Sequence, residues 1–439
     1  MPNLPKGSKK LLNAWAFYDW ANSVYSLVIA SAIFPIYYQA LFKAADISTV
    51  SILGGTIRST PLISYTTAAA FLLVAFISPL LSGIADYVGN KKNFMKFFCY
   101  LGALSCMGLY FFSIENIEIS LVFYFFGLIG FWGSLVFYNS YLPDVAFPEQ
   151  QDRVSARGYS LGYIGSVVLL LFNLGMVMFP QYFGFGSEEG ASMEAMRWSF
   201  ISVGIWWILF SQYSFYFLPK GNKSGKKVST KILLNGFREL KSVYGSLSEN
   251  IQLKRYLAAF FVYSMAVQTV MLVATYFGEQ EISWGGDDAK TLGLIVSILI
   301  IQLVAVGGAI ITSRASEKFG NIPVLIVINI VWVFICVVAF FIESPTQFYV
   351  TAGIVGLVMG GIQSLSRSTY SKFLPETKDT TSYFSFYDIT EKIGIVIGML
   401  IYGFIDQRTG SMRNSILFLV IFFMAGVFLL LRVPRNKTH

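Results

Sequence analysis

The chain has 439 residues, of which 55% are apolar, 17% are aromatic and only 13% are Asp, Glu, Lys or Arg. With a mean hydropathy of +0.62, it lies outside the range of water-soluble domains and reads as a multi-pass membrane protein whose partner is the lipid bilayer. The formal charge of +8 comes with no basic and aromatic surface stripe, so no nucleic acid is expected as a partner.

A bilayer core about 30 Å thick needs about 20 helical residues per crossing. Apolar blocks of that length predict about twelve spans. The first six are Leu12 to Leu41, Tyr65 to Ile84, Met95 to Ile114, Ile119 to Leu142, Tyr159 to Pro180 and Trp198 to Leu218. The second six are Tyr256 to Phe277, Leu292 to Ser313, Pro323 to Ile342, Phe348 to Ser371, Phe384 to Ile405 and Ser415 to Leu431. This gives a six-helix half over 1–219, a linker over 220–253 and a second six-helix half over 254–439. Lys and Arg collect in cytoplasmic loops. With both termini cytoplasmic, all of them except Lys43, Arg58, Arg197, Lys290, Arg408 and Arg413 fall inside, while Glu188, Glu189, Glu279, Glu281, Asp287 and Asp288 fall outside. The expected setting is a membrane with both termini on its cytoplasmic side.

Span one opens after Lys9 and Lys10 and contains Tyr18-Asp19-Trp20-Ala21-Asn22-Ser23. The apolar run continues past Ala30-Ser31-Ala32, which argues against a cleaved signal peptide. A carboxylate at a span centre costs roughly 2.5 to 3.5 kcal/mol, so it should face a bundle interior, a partner or water. Asn22 and Ser23, at i+3 and i+4, share its face. That face could bind a substrate ammonium, carry a proton or tie helices together. Pro35 and Pro79 mark candidate kinks in spans one and two.

Between spans two and three stands the loop holding Gly83, Asp86, Gly89, Lys91 and Lys92; between spans eight and nine, Glu317 and Gly320 repeat its acid, two residues, glycine pattern 231 positions on. Pro148-Glu149 with Asp152 recurs as Pro375-Glu376 with Asp379, 227 positions on. The two offsets nearly agree and point to a parallel duplication. Gly127, Gly130 and Gly133, Gly158 and Gly162, Gly353, Gly356 and Gly360, and Gly394 and Gly398 recur at intervals of three or four, which lets helix backbones approach closely. In the linker, Leu233, Phe237, Leu240, Tyr244 and Leu247 have the spacing of a surface helix.

Asn139 in span four, Gln268 in span seven, Asn173, Gln302 and Asn329 are in-membrane amides, a residue type that more often ties helices together than contacts a ligand, with Asn139 and Gln268 ranking first if spans four and seven line a cavity. Arg367 lies near the cytoplasmic end of span ten with Gln363 one turn before it; snorkelling to the interface competes with gating or carboxylate binding. Asp388, Glu391 and Lys392 form an i, i+3, i+4 cluster in span eleven, where acids near a helix start favour the dipole. Cys99, Cys106 and Cys336 fall within spans, and His439 is the single His. No metal site, cofactor or catalytic residue is expected.

The loop of Gly83, Asp86, Gly89, Lys91 and Lys92 resembles the signature loop of the major facilitator superfamily, and Glu317 with Gly320 resembles its second copy. Tyr87 and Asn90 depart from it, standing where basic residues are common. Trp15-Ala16-Phe17-Tyr18-Asp19-Trp20-Ala21-Asn22-Ser23 with Ile33-Phe34-Pro35, and Gly360-Gly361-Ile362-Gln363-Ser364-Leu365-Ser366-Arg367-Ser368, resemble the vacuole effluxer-like branch over essentially the whole chain. The resemblance implies an all-α membrane protein with two pseudo-symmetric six-helix bundles and a cavity lined by spans one, four, seven and ten. It implies a secondary transporter of a small-molecule substrate by alternating access, with amino-acid efflux as the activity of the eukaryotic effluxers. The charged loop residues, and the cluster of Asp388, Glu391 and Lys392, are then gating candidates. Proton coupling through Asp19 is one reading. A membrane-embedded enzyme acting on a lipid-linked substrate stays open as the alternative.

Overall fold

The computed structural model describes residues 4–52, 54–186, 190–220, 238, 241–246 and 249–434. Of the linker positions read as a surface helix, Leu233, Phe237, Leu240 and Leu247 lie outside the described residues, as do Glu188, Glu189 and His439.

The first six long helices are α1 (Lys9–Ala44), α2 (Ser59–Val88), α3 (Lys91–Gly108), α4 (Ile117–Ser140), α5 (Pro148–Met178) and α6 (Ala191–Phe217). The next six are α7 (Ile251–Glu281), α8 (Asp287–Phe319), α9 (Asn321–Ala339), α10 (Pro345–Phe373), α11 (Thr380–Thr409) and α12 (Met412–Leu431). An antiparallel hairpin, β1 (Thr49–Ile52) and β2 (Gly55–Arg58), joins α1 to α2, with Thr49 opposite Arg58. Eleven of the helices have the length and apolar composition to cross a membrane. Helix α11 has the length, 30 residues, but packs Asp388, Glu391 and Lys392 into little more than one turn. The all-α architecture of about twelve spans expected from hydropathy is thus present, with the hairpin as a small addition.

Helix ends explain the repeated acid, two residues, glycine pattern. Gly89 closes α2 at φ 66, its N–H reaching the carbonyls of Ala85 and Asp86, and Gly320 follows α8 at φ 84. Positive φ is readily adopted by glycine because it lacks a Cβ. Asp86 and Glu317 therefore occupy the last turn of corresponding helices. Helix α10 starts with a capping box, in which the Ser344 side chain accepts from the Gln347 N–H, and Pro345 follows at the first helical position.

The described residues fall into two compact units. The first takes those up to Asn139 and those from Leu161 to Lys220; the second takes Ser140–Ser160 and those from Arg238 onward. Trp15, Tyr18, Tyr25, Tyr138 and Trp207 are fully buried in the first unit, and Tyr256, Tyr263, Trp332 and Tyr370 in the second. In the second unit α8 lies directly on α10: a Cβ at Gly356 would meet the Ile301 carbonyl oxygen at 2.5 Å, and one at Gly360 would collide with the Ala305 carbonyl. The small residues of the α10 stripe thus work in backbone contact.

Two of the six exceptions to the charge bias serve as equivalent clamps. In the first unit, Arg197 on α6 donates to the Tyr37 hydroxyl at 3.0 Å, and that hydroxyl donates to the Phe112 carbonyl at 2.7 Å. In the second, Arg413 on α12 donates to the Glu281 carboxylate at 2.7 Å and the Glu281 carbonyl at 2.9 Å. It also reaches the carbonyls of Phe340 and Ile342 at 2.8 and 2.7 Å. Each Arg sits near the start of its half's sixth long helix and ties down the ends of the first and third. Arg413→Lys keeps the charge but has no planar fork for four acceptors. It is expected to lower the unfolding midpoint in detergent, by about 2 kcal/mol of stability, whereas Arg408→Lys, at an exposed position, leaves it unchanged.

Candidate functional site

In the first unit the polar turn of α1 is buried, with Asp19 4% and Asn22 1% exposed. Tyr138 of α4 donates its hydroxyl to Asp19 Oδ2 at 2.7 Å. The tyrosine ring stacks on Trp15 at 4.6 Å, and the Trp15 indole N–H bonds the Tyr138 carbonyl at 3.0 Å. Trp15 and Asp19, one turn apart on α1, therefore hold Tyr138 from two sides. Asn22 Oδ1 accepts a long bond, 3.5 Å, from Ser23 Oγ. Asn22 Nδ2 is buried and has no hydrogen-bond partner among the described residues. An unsatisfied amide donor in an apolar setting costs about 1 to 3 kcal/mol, so it is primed for an acceptor.

Helix α5 reaches this turn through glycine. A Cβ at Gly162 would stand 2.5 Å from Ser23 Oγ and 3.3 Å from the Asp19 carbonyl, and one at Gly165 would stand 2.9 Å from the Trp20 carbonyl. Directly after the polar turn, α1 widens into a π-helix over Tyr25–Ala32 and returns to α-geometry at Ile33. Pro35 lacks the N–H that would bond the Ser31 carbonyl, and the Ser31 hydroxyl bonds the Ser26 carbonyl, five residues back, at 2.9 Å. Wide turns of this kind cluster at functional sites. Proline signalled a kink in the sequence; the π segment in front of it was not anticipated. Asn139 is half-buried, next in sequence to Tyr138.

Lys92, expected at a gate, is 2% exposed and donates to the Leu218 carbonyl at the end of α6 at 2.6 Å. A cation there also favours the helix dipole. Lys91 is likewise buried, and Gly83 lies within α2.

In the second unit, Arg367 is 2% exposed, so its guanidinium does not snorkel to an interface. It donates from Nε to the Ser155 hydroxyl and from Nη2 to the Ser155 carbonyl, both at 3.0 Å, and lies 4.2 Å over the Tyr159 ring. Gln363 reaches Met271 Sδ at 3.5 Å. Asp388 receives Lys392 at 2.7 Å. Gln268 joins that cluster through Glu391 at 2.8 Å. Arg367→Lys loses both the fork and the stacking and is expected to reduce solute flux at least about tenfold with insertion intact; unchanged flux would reduce Arg367 to a packing residue.

A residue left without a role in the sequence stands out here. Asp152, 2% exposed, accepts from Ser316 at 2.9 Å, from Asn321 at 2.9 Å and from Lys372 at 2.6 Å. Asn321 also donates to Thr369 Oγ1 at 2.9 Å. The neighbouring Arg153 makes a bidentate pair with Glu317, at 3.2 and 3.0 Å. The segment Ser140–Ser160 is thus pinned at the junctions of α8 with α9 and at the end of α10. Only the Pro-Glu repeat upstream of Asp152 pointed toward it, since its partners lie 164, 169 and 220 residues away.

A profile of the family described as "Vacuole effluxer Atg22 like" matches residues 7–439. The chain belongs to that family. Among relatives of the Atg22-like family member, an "Uncharacterized MFS-type transporter YxiO" of Bacillus subtilis is 31% identical over 432 residues, covering 97% of this chain and 95% of that one. The Autophagy-related protein 22 of Eremothecium gossypii is 26% identical over 418 residues, covering 85% of this chain and 78% of the relative. The fold is that of major facilitator transporters. The proton:xylose symporter XylE superposes with a TM-score of 0.71 at 12% identity, over 97% of this chain and 95% of XylE. The Escherichia coli fucose:proton symporter FucP superposes with a TM-score of 0.67 at 16% identity, over 97% and 98%. The Atg22-like sequence thus carries the superfamily's architecture, and the polar turn of α1 sits within it.

Proposed function

We propose that this Atg22-like protein is a secondary transporter that exports a small zwitterionic solute of the amino-acid class by alternating access, coupled to protons, in a bacterial cytoplasmic membrane with both termini inside. The observation that carries the reading is the pairing on one buried helix face of a carboxylate, Asp19, with an amide donor, Asn22 Nδ2, that has no partner among the described residues. An α-amino acid offers the complement: an ammonium for Asp19 and a carboxylate for Asn22. Ser23 and the Tyr138 hydroxyl complete a polar patch walled by the Trp15 ring. The description of the matching family supports the effluxer reading, and the folds of XylE and FucP support alternating access. The α1 π segment next to Asn22 gives the helix a place to flex. The charged junction around Asp152 and Glu317 serves as a latch, closed when Ser140–Ser160 is pinned and released when access changes.

A ligand that binds the folded state raises its apparent stability. Purified protein is therefore screened by thermal shift against amino acids, nucleosides and sugars, and the stabilising solutes are then followed in proteoliposomes. Stabilisation and flux with amino acids are expected. Stabilisation by sugars or nucleosides alone would replace the substrate class, and loss of proton-gradient dependence would remove the coupling.

A further inference from the structure

We infer that Asp388 on α11 is a proton-binding site, held by Lys392, Glu391 and Gln268; the inference rests on the transporter reading and names the group that takes its coupling proton. Lys392 is buried, with its ammonium 2.7 Å from Asp388 Oδ1 and 3.6 Å from Glu391 Oε2. Gln268 of α7 donates to Glu391 Oε1 at 2.8 Å, so both Glu391 oxygens are engaged. Asp388 is 5% exposed, and its Oδ2 is buried with no hydrogen-bond partner among the described residues. Two carboxylates against one ammonium leave a unit of negative charge uncompensated in the first half of a span-length helix, an arrangement that costs several kcal/mol while both stay ionised.

The surrounding helices supply no second cation in ion-pair contact with Asp388 among the described residues. From α7 come Gln268, Tyr256 and Tyr263; Tyr256 and Tyr263 bond each other and Ser366. Helix α10 contributes Tyr370, whose hydroxyl bonds the Tyr383 carbonyl, and Arg367, engaged with Ser155. Lys372 is taken by Asp152. The α12 segment carries Arg413 alone, bound to Glu281. Tyr159 lies under Arg367, and Tyr383 and Tyr387 belong to α11 itself. A hard metal cation would need several oxygens, and the Lys392 ammonium already occupies the approach to Oδ1. A proton needs one lone pair, which Oδ2 has. Binding converts the Asp388 carboxylate to a carboxylic acid, with the proton drawn from water on one side and returned to water on the other; Lys392 keeps its own proton.

Infrared difference spectra of the detergent-purified protein, titrated from about pH 9 to about pH 4, read the site without any solute. The wild type is expected to gain the carbonyl band of a protonated carboxylic acid that is absent from Asp388→Asn and kept in Asp19→Asn. Glu391→Gln removes the neighbouring negative charge and should move the band's midpoint down by about one pH unit or more. This second variant serves should Asp388→Asn fail to elute as a folded species. A spectrum identical in wild type and Asp388→Asn, or a midpoint unmoved in Glu391→Gln, overturns the site. Failure of the transport reading shows separately, as an intact titration in a protein that moves none of the screened solutes.

Discussion

Asp19→Asn is expected to insert and fold like the wild type and to move its solute at no more than about a tenth of the wild-type rate, because a hydrogen bond to a charged group contributes about 1.5 to 3 kcal/mol. The substitution is isosteric, and the Tyr138 hydroxyl that now donates to Asp19 at 2.7 Å can donate to the amide oxygen instead. The helix contacts around the turn therefore survive, while the charge that would receive a solute ammonium is gone. Removing a carboxylate from a span also favours insertion, so lower flux cannot be ascribed to failed assembly. Tyr138→Phe removes a single donor and should cost less. Flux into proteoliposomes, normalised to inserted protein, checks both. Wild-type flux in Asp19→Asn would leave Asp19 as a tie between α1 and α4.

The second large effect is expected at Asp152. Asp152→Asn leaves the Lys372 ammonium without its counter-charge and turns an amide NH2 either toward the Asn321 donor or toward the Ser316 and Lys372 donors. Removing one partner of a buried pair costs about 3 to 5 kcal/mol, of which Lys372 regains part through water, its side chain being 23% exposed. Hydrogen exchange in Ser140–Ser160 should accelerate roughly tenfold to a hundredfold, since local opening follows the local free energy. The double variant Asp152→Asn with Lys372→Met, which removes the stranded charge, should recover part of the protection. Exchange unchanged in the single variant would show that the segment is held by its apolar contacts instead.

Much of the fold could be read from hydropathy because a membrane span must be apolar for about 20 residues, and the duplication could be read from loops because a helix terminus needs glycine at the same place in each half. Asp19 was legible for the opposite reason: a carboxylate in an apolar run is an exception that declares itself. Its partners were not. Tyr138 is 119 residues away and one tyrosine among 25, so nothing in one dimension singles it out. Arg197 and Arg413 appeared only as violations of the charge bias; the Arg197 clamp reaches the Phe112 carbonyl through the Tyr37 hydroxyl and three of the four Arg413 acceptors are carbonyls, which every residue carries. Asp388, Glu391 and Lys392 were visible as a spacing, but which oxygen lacks a partner depends on how α7 and α11 pack.

The π segment of α1 has a consequence for how this helix can change through insertion and deletion. Each residue advances an α-helix by about 100°, and a wide turn stores an additional residue without lengthening the ladder proportionately. The stretch from Ile33 to Ala44 therefore keeps its facing relative to the stretch that bears Asp19 although one more residue lies between them. Deleting one residue within Tyr25–Ala32 would wind the helix back to a uniform pitch and leave Phe34, Tyr37 and Tyr38, all buried, on their present side, whereas inserting one between Ile33 and Phe34 would rotate them by about 100°. The aromatic face at one end of α1 and the polar face at the other are kept in register by the wide turn.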